Sequence, residues 1–266
     1  MNVLITGAAS GIGAAATKIF LEKGHTVYAL DRTPIAKREG LFSFVCDVTD
    51  EEALEGVFSN LREREISLDA ILLVAGIHRM ASLVEGECDT LRRVIDVNLL
   101  GAMLTVRTLH PLLSKNGRIV IVTSEVASLD PLPFNGLYSV SKTALDAYAQ
   151  ALRQEVGLLG QTVVTVRPGA IGTPLCSASL VDTERLADTT ELYRAQAHRF
   201  LSITKRFMGT PISPERLAPL LYRATVCKHP RLVYHKHRSL GLVLLGALPK
   251  RMQCAIIRLL LGRKKG

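Results

Sequence analysis

Seven short apolar runs recur along the chain, separated by longer stretches whose apolar positions return every three or four residues. The runs are 2–6, 26–30, 42–46, 70–74, 118–123, 163–166 and 232–234. Most are aliphatic or β-branched at successive positions, which suits strands buried on both faces. The stretches 13–23, 51–64, 90–113, 138–159 and 214–226 read as helices. Strand alternating with helix predicts right-handed βαβ units. The expected fold is therefore α/β: a doubly wound, mostly parallel seven-stranded sheet with helices on both faces. These elements fill residues 1–238, read as one domain. Within it, 173–211 is polar, charged and weakly helical, and reads as a lid over a substrate site.

Composition narrows the setting. The 266 residues are 48% hydrophobic and 21% charged, enough apolar content to exclude general disorder. Five scattered cysteines (Cys46, Cys88, Cys176, Cys227, Cys254) form no CxxC pair. They read as free thiols in a reducing compartment, and no metal site is expected. His229, His235 and His237 read as surface residues. The first residues show no basic region followed by a long apolar stretch, so no secretory signal is expected. The apolar runs also fall short of the roughly 20 residues of a membrane-spanning helix. The expected location is the cytoplasm.

The charge is unevenly placed. The net is +9, yet ten of the 33 Lys and Arg and none of the 24 Asp and Glu fall in 228–266. The first 227 residues are thus close to neutral, which argues against a nucleic-acid groove. In 239–266, Met252, Ala255, Ile256, Leu259 and Leu260 share one helical face, with Arg251 and Arg258 on the other and Arg263, Lys264 and Lys265 after them. One reading is an amphipathic segment at a membrane surface. The other is a helix docked on its own body or on a second subunit.

Two ends of a chemistry can be picked out. Thr6, Gly7, Ser10, Gly11, Ile12 and Gly13 lie where the first strand passes into the first helix. There Gly7 permits a tight turn, Gly11 lets backbone N–H groups approach a pyrophosphate, and Gly13 allows close helix–strand packing. An ordinary βα turn is the competing explanation. Asp31 follows about 20 residues on, where a carboxylate accepts from ribose hydroxyls and repels a 2′-phosphate. This favours NAD over NADP, with Arg32 as the residue able to reverse the preference. The plainer alternative for Asp31 is a solvated strand-end acid. Asp47, followed by Val48, reads either as a neighbour of adenine or as the N-cap of the second helix. At the other end, Tyr138 and Lys142 stand four apart on one helical face. A fixed cation near a phenol favours the phenolate and fits it for proton transfer, although such pairs also occur on exposed helices. Ser124 ends the fifth strand, at the carboxyl edge where open α/β sheets bind ligands.

With these residues the chain resembles the short-chain dehydrogenase/reductase family, in its compact single-domain branch and close to hydroxysteroid and retinol dehydrogenases. The resemblance covers about 1–235. It includes residues 6–13, Asp31, Asp47, Ala75, Gly76, Asn98, Ser124, Tyr138, Lys142, Pro168, Gly169, Ile171 and Thr173. It implies a Rossmann-type sheet and a role for each residue. Tyr138 would exchange the hydroxyl proton, Lys142 would hold the nicotinamide ribose and lower the Tyr138 pKa, and Ser124 would donate to the substrate oxygen. Asn98 would hold a water linking Lys142 to solvent, while Ile171 and Thr173 would orient the carboxamide. Homodimers or homotetramers are implied as well.

Two positions depart from the family pattern. Before Ala75 and Gly76 stand Leu73 and Val74 where the family has two asparagines, so side-chain bracing of the central strands is expected to be missing. The family serine usually lies thirteen residues before the tyrosine, where this chain has Glu125. A loop one residue longer would restore Ser124. Without it Glu125 would face the substrate, with Ser128 a weak substitute. The lid residues Leu175, Leu180, Leu186, Phe200, Ile203, Phe207 and Met208 point to a hydrophobic alcohol or ketone such as a steroid, retinoid or lipid. The expected function is NAD(H)-dependent hydride transfer to or from that substrate. An NADPH-dependent carbonyl or ketoacyl reductase is the alternative, followed by a catalytically silent NAD sensor at a membrane.

Overall fold

In the computed structural model, which describes residues 1–207 and 210–262, strand residues alternate between two helical layers. Val3 and Ile5 of β1 (Asn2–Thr6) point into one apolar cluster and Leu4 into the other. Both faces are covered, which is why the strand is apolar throughout. The other strands are β2 (Thr26–Asp31), β3 (Leu41–Val45), β4 (Leu68–Leu73), β5 (Leu113–Val122), β6 (Thr162–Pro168) and β7 (Val233–Lys236). All pairs are parallel, in the order β3-β2-β1-β4-β5-β6-β7. The order reverses between β1 and β4, and a crevice opens at their carboxyl ends, the usual ligand position in such sheets.

The helices are α1 (Gly11–Glu22), α2 (Glu51–Glu63), α3 (Cys88–Ile95), α4 (Gly101–Leu109), α5 (Gly136–Gly157), α6 (Pro174–Thr189), α7 (Arg194–Phe207), α8 (Pro214–Val226), α9 (Leu240–Gly246) and α10 (Lys250–Leu261). Phe20 of α1 and Leu217 and Leu221 of α8 fill one layer; Leu54 and Leu61 of α2, Leu109 of α4 and Leu145 of α5 fill the other. Each such side chain contributes about 1.5–3 kcal/mol when fully buried.

Several boundaries differ from the pattern reading. The stretch 90–113 is not one helix: a π-helical turn, Asp96–Leu100, separates α3 from α4. The extra residue in the turn breaks the 3.6 period and points Asn98 inward. The region 173–211 is mostly helical, as α6 and α7. Thr173 accepts from the Cys176 N–H at the start of α6, with Pro174 at the first position. Glu85 accepts from the Thr190 hydroxyl (2.6 Å) and from the Glu191 and Leu192 N–H groups, which fixes the bend between the two helices.

Of the apolar residues singled out in 173–211, Leu186, Phe200 and Ile203 pack on the body of the fold. Phe200 is buried with Met80, Phe134, Ala187, Ala197 and Leu261, and Leu186 and Ile203 pack against that cluster. Leu180 is half-buried, and Leu175 lines the crevice. The Phe207 side chain, Met208 and the basic residues Arg263, Lys264 and Lys265 lie outside the described residues. No described helix is long and apolar enough to cross a membrane.

Candidate active site

The glycine loop shows why each small residue stands where it does. Gly7 has φ +67°, and a Cβ there would meet Ala75 Cα at 2.9 Å. A Cβ on Gly13 would lie 2.0 Å from the Gly7 carbonyl oxygen. No side chain fits at either position. The helix begins at Gly11, two residues earlier than the pattern placed it, with Ser10 at the N-cap. The Ser10 side chain makes no capping bond, so the first N–H groups of α1 face the crevice without a side-chain partner. Across the opening, Thr173 sits against Gly11.

The crevice is lined by Gly7, Ser10, Gly11, Ile12, Gly13, Asp31, Arg32, Asp47, Val48, Ala75, Gly76 and Thr173 from the sequence reading. It also takes in Leu175, which that reading placed among the substrate-facing apolar residues, and Leu30, Thr33, Cys46, Val74, Ile77, Val97 and Pro174, which it did not assign to the site. Most of these adjoin predicted residues at strand ends. The Asp31 carboxylate accepts from the Ala9 N–H (2.9 Å) and the Thr33 N–H (2.9 Å), tying the glycine loop to the end of β2. These features fit a dinucleotide: donors at a helix N-terminus for the pyrophosphate and a fixed carboxylate one strand away.

Asp47 does not cap α2; Asp50 does, accepting from the Ala53 N–H. Asp47 instead accepts from the Thr49 N–H and hydroxyl and pairs with Arg93 at 2.6 Å. Although burial opposes it, these hydrogen bonds hold its carboxyl below the usual range. Arg93 gave no sequence signal, because its partner lies 46 residues away.

Thr6 lies outside the crevice lining and braces the central strands. Its hydroxyl accepts from the Val74 and Ala75 N–H groups, both at 3.1 Å. Asn98, fully buried, accepts from the Ile77 N–H (2.7 Å) and donates to the Ile77 carbonyl and the Ser141 hydroxyl (2.9 Å each). The side-chain bracing expected to be missing is thus supplied by Thr6 and Asn98. Pro168, Gly169 and Ile171 also lie outside the lining. Gly169 is pressed against the His237 carbonyl, and Ile171 is buried and bridges Ile212.

Ser124, Tyr138 and Lys142 meet behind this crevice. Ser124 caps a short 3₁₀ helix, Glu125–Ser128, and hydrogen-bonds the Tyr138 hydroxyl. That turn absorbs the extra residue between serine and tyrosine. Glu125 points the other way and accepts from the Ser239 N–H at 2.7 Å. Burial raises its pKa, a shift partly offset by that bond, Arg238 and His237. Lys142 donates to the Val122 carbonyl (3.2 Å) and lies 5.9 Å from the Tyr138 ring centre. A Cβ on Gly76 would come within 3.3 Å of its Nζ, so the ammonium sits just under the crevice floor. His78 covers the Tyr138 ring at 4.0 Å between centres and bonds the Asn135 side chain at 2.8 Å.

The electrostatics differ from expectation in one respect. Burial pushes Tyr138 up to about 12, and the Ser124 bond offsets this only in part. Burial also brings Lys142 down to about 8. Desolvation outweighs the Ser124 bond at the phenol, and the Lys142 ammonium lies 5.9 Å from the ring centre.

Comparison with known proteins agrees with this architecture. Residues 1–183 match the family model described as short chain dehydrogenase. A 3-amino-tetrahydro-pyrrolizinone reductase from Xenorhabdus hominickii is 31% identical over 199 residues, covering 71% of this chain and 68% of the relative. A 3-ketodihydrosphingosine reductase from Bacteroides thetaiotaomicron is 25% identical over 233 residues, covering 86% and 84%. Two solved structures share the fold. A 3-ketoacyl-(acyl-carrier-protein) reductase from Brucella melitensis complexed with NADH has a TM-score of 0.71 at 21% identity, covering 88% of this chain and 95% of that one. A short chain dehydrogenase from Burkholderia cenocepacia in complex with NADP has 0.73 at 20%, covering 98% of both. The chain belongs to the short-chain dehydrogenase family of oxidoreductases.

Proposed function

We propose that this chain is an NAD(H)-dependent alcohol dehydrogenase or carbonyl reductase acting on a hydrophobic alcohol or ketone of steroid, retinoid or lipid type. The observation that carries the reading is the buried meeting of Ser124, Tyr138, Lys142 and Asn98 behind a glycine-floored crevice. A bound dinucleotide supplies the hydride chemistry. The chain supplies position and the proton. Tyr138 Oη holds the proton exchanged with the substrate oxygen, and the Ser124 hydroxyl steadies that oxygen beside it. Lys142 under Gly76 lies where a ribose hydroxyl would reach it. Asn98 fixes the backbone at Ile77, which shapes the floor of the site. Support for an apolar substrate comes from Leu175 and Ile77 in the crevice and from the His78 ring over Tyr138. The ketodihydrosphingosine reductase among the relatives fits a lipid substrate. The Glu125 carboxylate is occupied by the Ser239 N–H, which leaves proton exchange to Tyr138.

The preference for NAD rests on Asp31. Its carboxylate would lie against a 2′-phosphate and repel it. The competing NADPH reading rests on exposed Arg32, which lines the same end of the crevice. Asp31→Ser is expected to shift the ratio of kcat/KM for NAD over NADP by about 100-fold toward NADP. The screen that tests the whole reading follows absorbance at the reduced-nicotinamide band with steroids, retinoids and aliphatic alcohols. Turnover with an apolar substrate and NAD supports it. Turnover only with NADP, or binding of dinucleotide without turnover of any substrate, overturns it.

A further inference from the structure

The two C-terminal helices leave several large apolar side chains uncovered. α10 docks on the body along one seam. Gln253 is buried and donates to Asp130 Oδ2 and to the Leu248 carbonyl, both at 2.7 Å. Leu261 is buried in the cluster around Phe200, and its carbonyl accepts from Arg199 at 3.2 Å. The arc beside this seam carries Met252, Ala255, Leu259 and Leu260. Leu259 is 83% exposed, Leu260 53% and Met252 51%. Exposed Arg251 and Arg258 flank the far side of that arc. On α9, Leu240 and Leu244 stand one turn apart and are 76% and 70% exposed.

A helix whose docked side is satisfied, and whose free side is apolar with a cationic flank, has the charge distribution of an interfacial helix. The absence of any acidic residue in 228–266 complements anionic headgroups. A second copy is the poorer occupant, because a two-fold interface would bring one wholly basic tail against another.

We propose that α9 and α10 seat this protein on an anionic bilayer, with Leu240, Leu244, Leu259 and Leu260 entering the interface and Arg251 and Arg258 at the headgroups. The seated element is bonded to the catalytic loop: Gln253 reaches Asp130, and Ser239, which caps α9, donates to Glu125 beside Ser124. The proposal does not depend on the substrate or on turnover.

Co-sedimentation of the full chain with vesicles of phosphatidylcholine, with and without added phosphatidylserine, tests it. Binding is expected on the anionic vesicles and is expected to weaken as salt rises. Arg251→Glu with Arg258→Glu should weaken it by at least about tenfold. Leu240→Glu with Leu259→Glu should do the same with the melting temperature unchanged, since these side chains are 76% and 83% exposed. Failure of the unaltered chain to bind anionic vesicles overturns the proposal, as does binding that ignores both pairs of substitutions. Conversion of a dimer to a monomer by Leu259→Glu, without loss of vesicle binding, assigns the face to a second copy and overturns it too.

Discussion

Tyr138→Phe is expected to lower turnover by about 1,000-fold while dinucleotide affinity stays close to that of the unaltered chain. The substitution removes one oxygen and keeps the ring that packs under His78. Burial holds the phenol near 12, so at neutral pH it is a proton donor, suited to ketone reduction. Alcohol oxidation needs the deprotonated form, and its rate is expected to climb with pH through the alkaline range. Ser124→Ala removes the hydrogen bond that favours the phenolate, so that climb should move to higher pH. Steady-state rates in both directions, with dinucleotide fluorescence titration as the control for binding, check the set. A Phe variant that turns over at the unaltered rate would remove Tyr138 from the chemistry.

Much of this site was readable because its spacing is local. The glycines at Gly7 and Gly13 answer to clashes within one βα turn, and Tyr138 and Lys142 lie one turn apart on α5. Asp31 is one strand downstream of the loop it binds. What stayed hidden depends on pairings distant in sequence or on small irregularities. The orientations of Ser124 and Glu125 depend on a 3₁₀ turn of four residues and on Ser239, 114 residues from Glu125. The π-helical turn that aims Asn98 inward adds one residue to a regular apolar pattern, which periodicity cannot register. The segment 173–211 is ambiguous in a different way. Its apolar residues signal burial, and burial against Phe134 and the tail reads the same in sequence as burial against a substrate.

The sign of the electrostatic work at Lys142 leads to the second large effect. Its ammonium is buried, and its folded pKa of about 8 lies below the ordinary value of 10.5. The folded protein therefore holds this proton less tightly than the unfolded chain. Below pH 8 the charge is buried at full cost. Between about 8 and 10.5 the folded state sheds the proton while the unfolded chain keeps it, so stability rises with pH; above 10.5 the contribution is gone. Lys142→Met keeps the length of the side chain and removes the charge. The shift corresponds to about 3 kcal/mol, of which the lost bond to the Val122 carbonyl returns about 1 kcal/mol. The Met variant is expected to be more stable by about 2 kcal/mol at pH 7 and to lose that advantage as pH rises past 10. Its turnover should nevertheless fall by at least about 100-fold, because the cation that costs stability is the one placed beneath the crevice. Denaturant unfolding at pH 7 and pH 10, set beside turnover at pH 7, separates the two. A variant less stable than the unaltered chain at pH 7 would show that the ammonium holds this corner of the fold together instead of straining it.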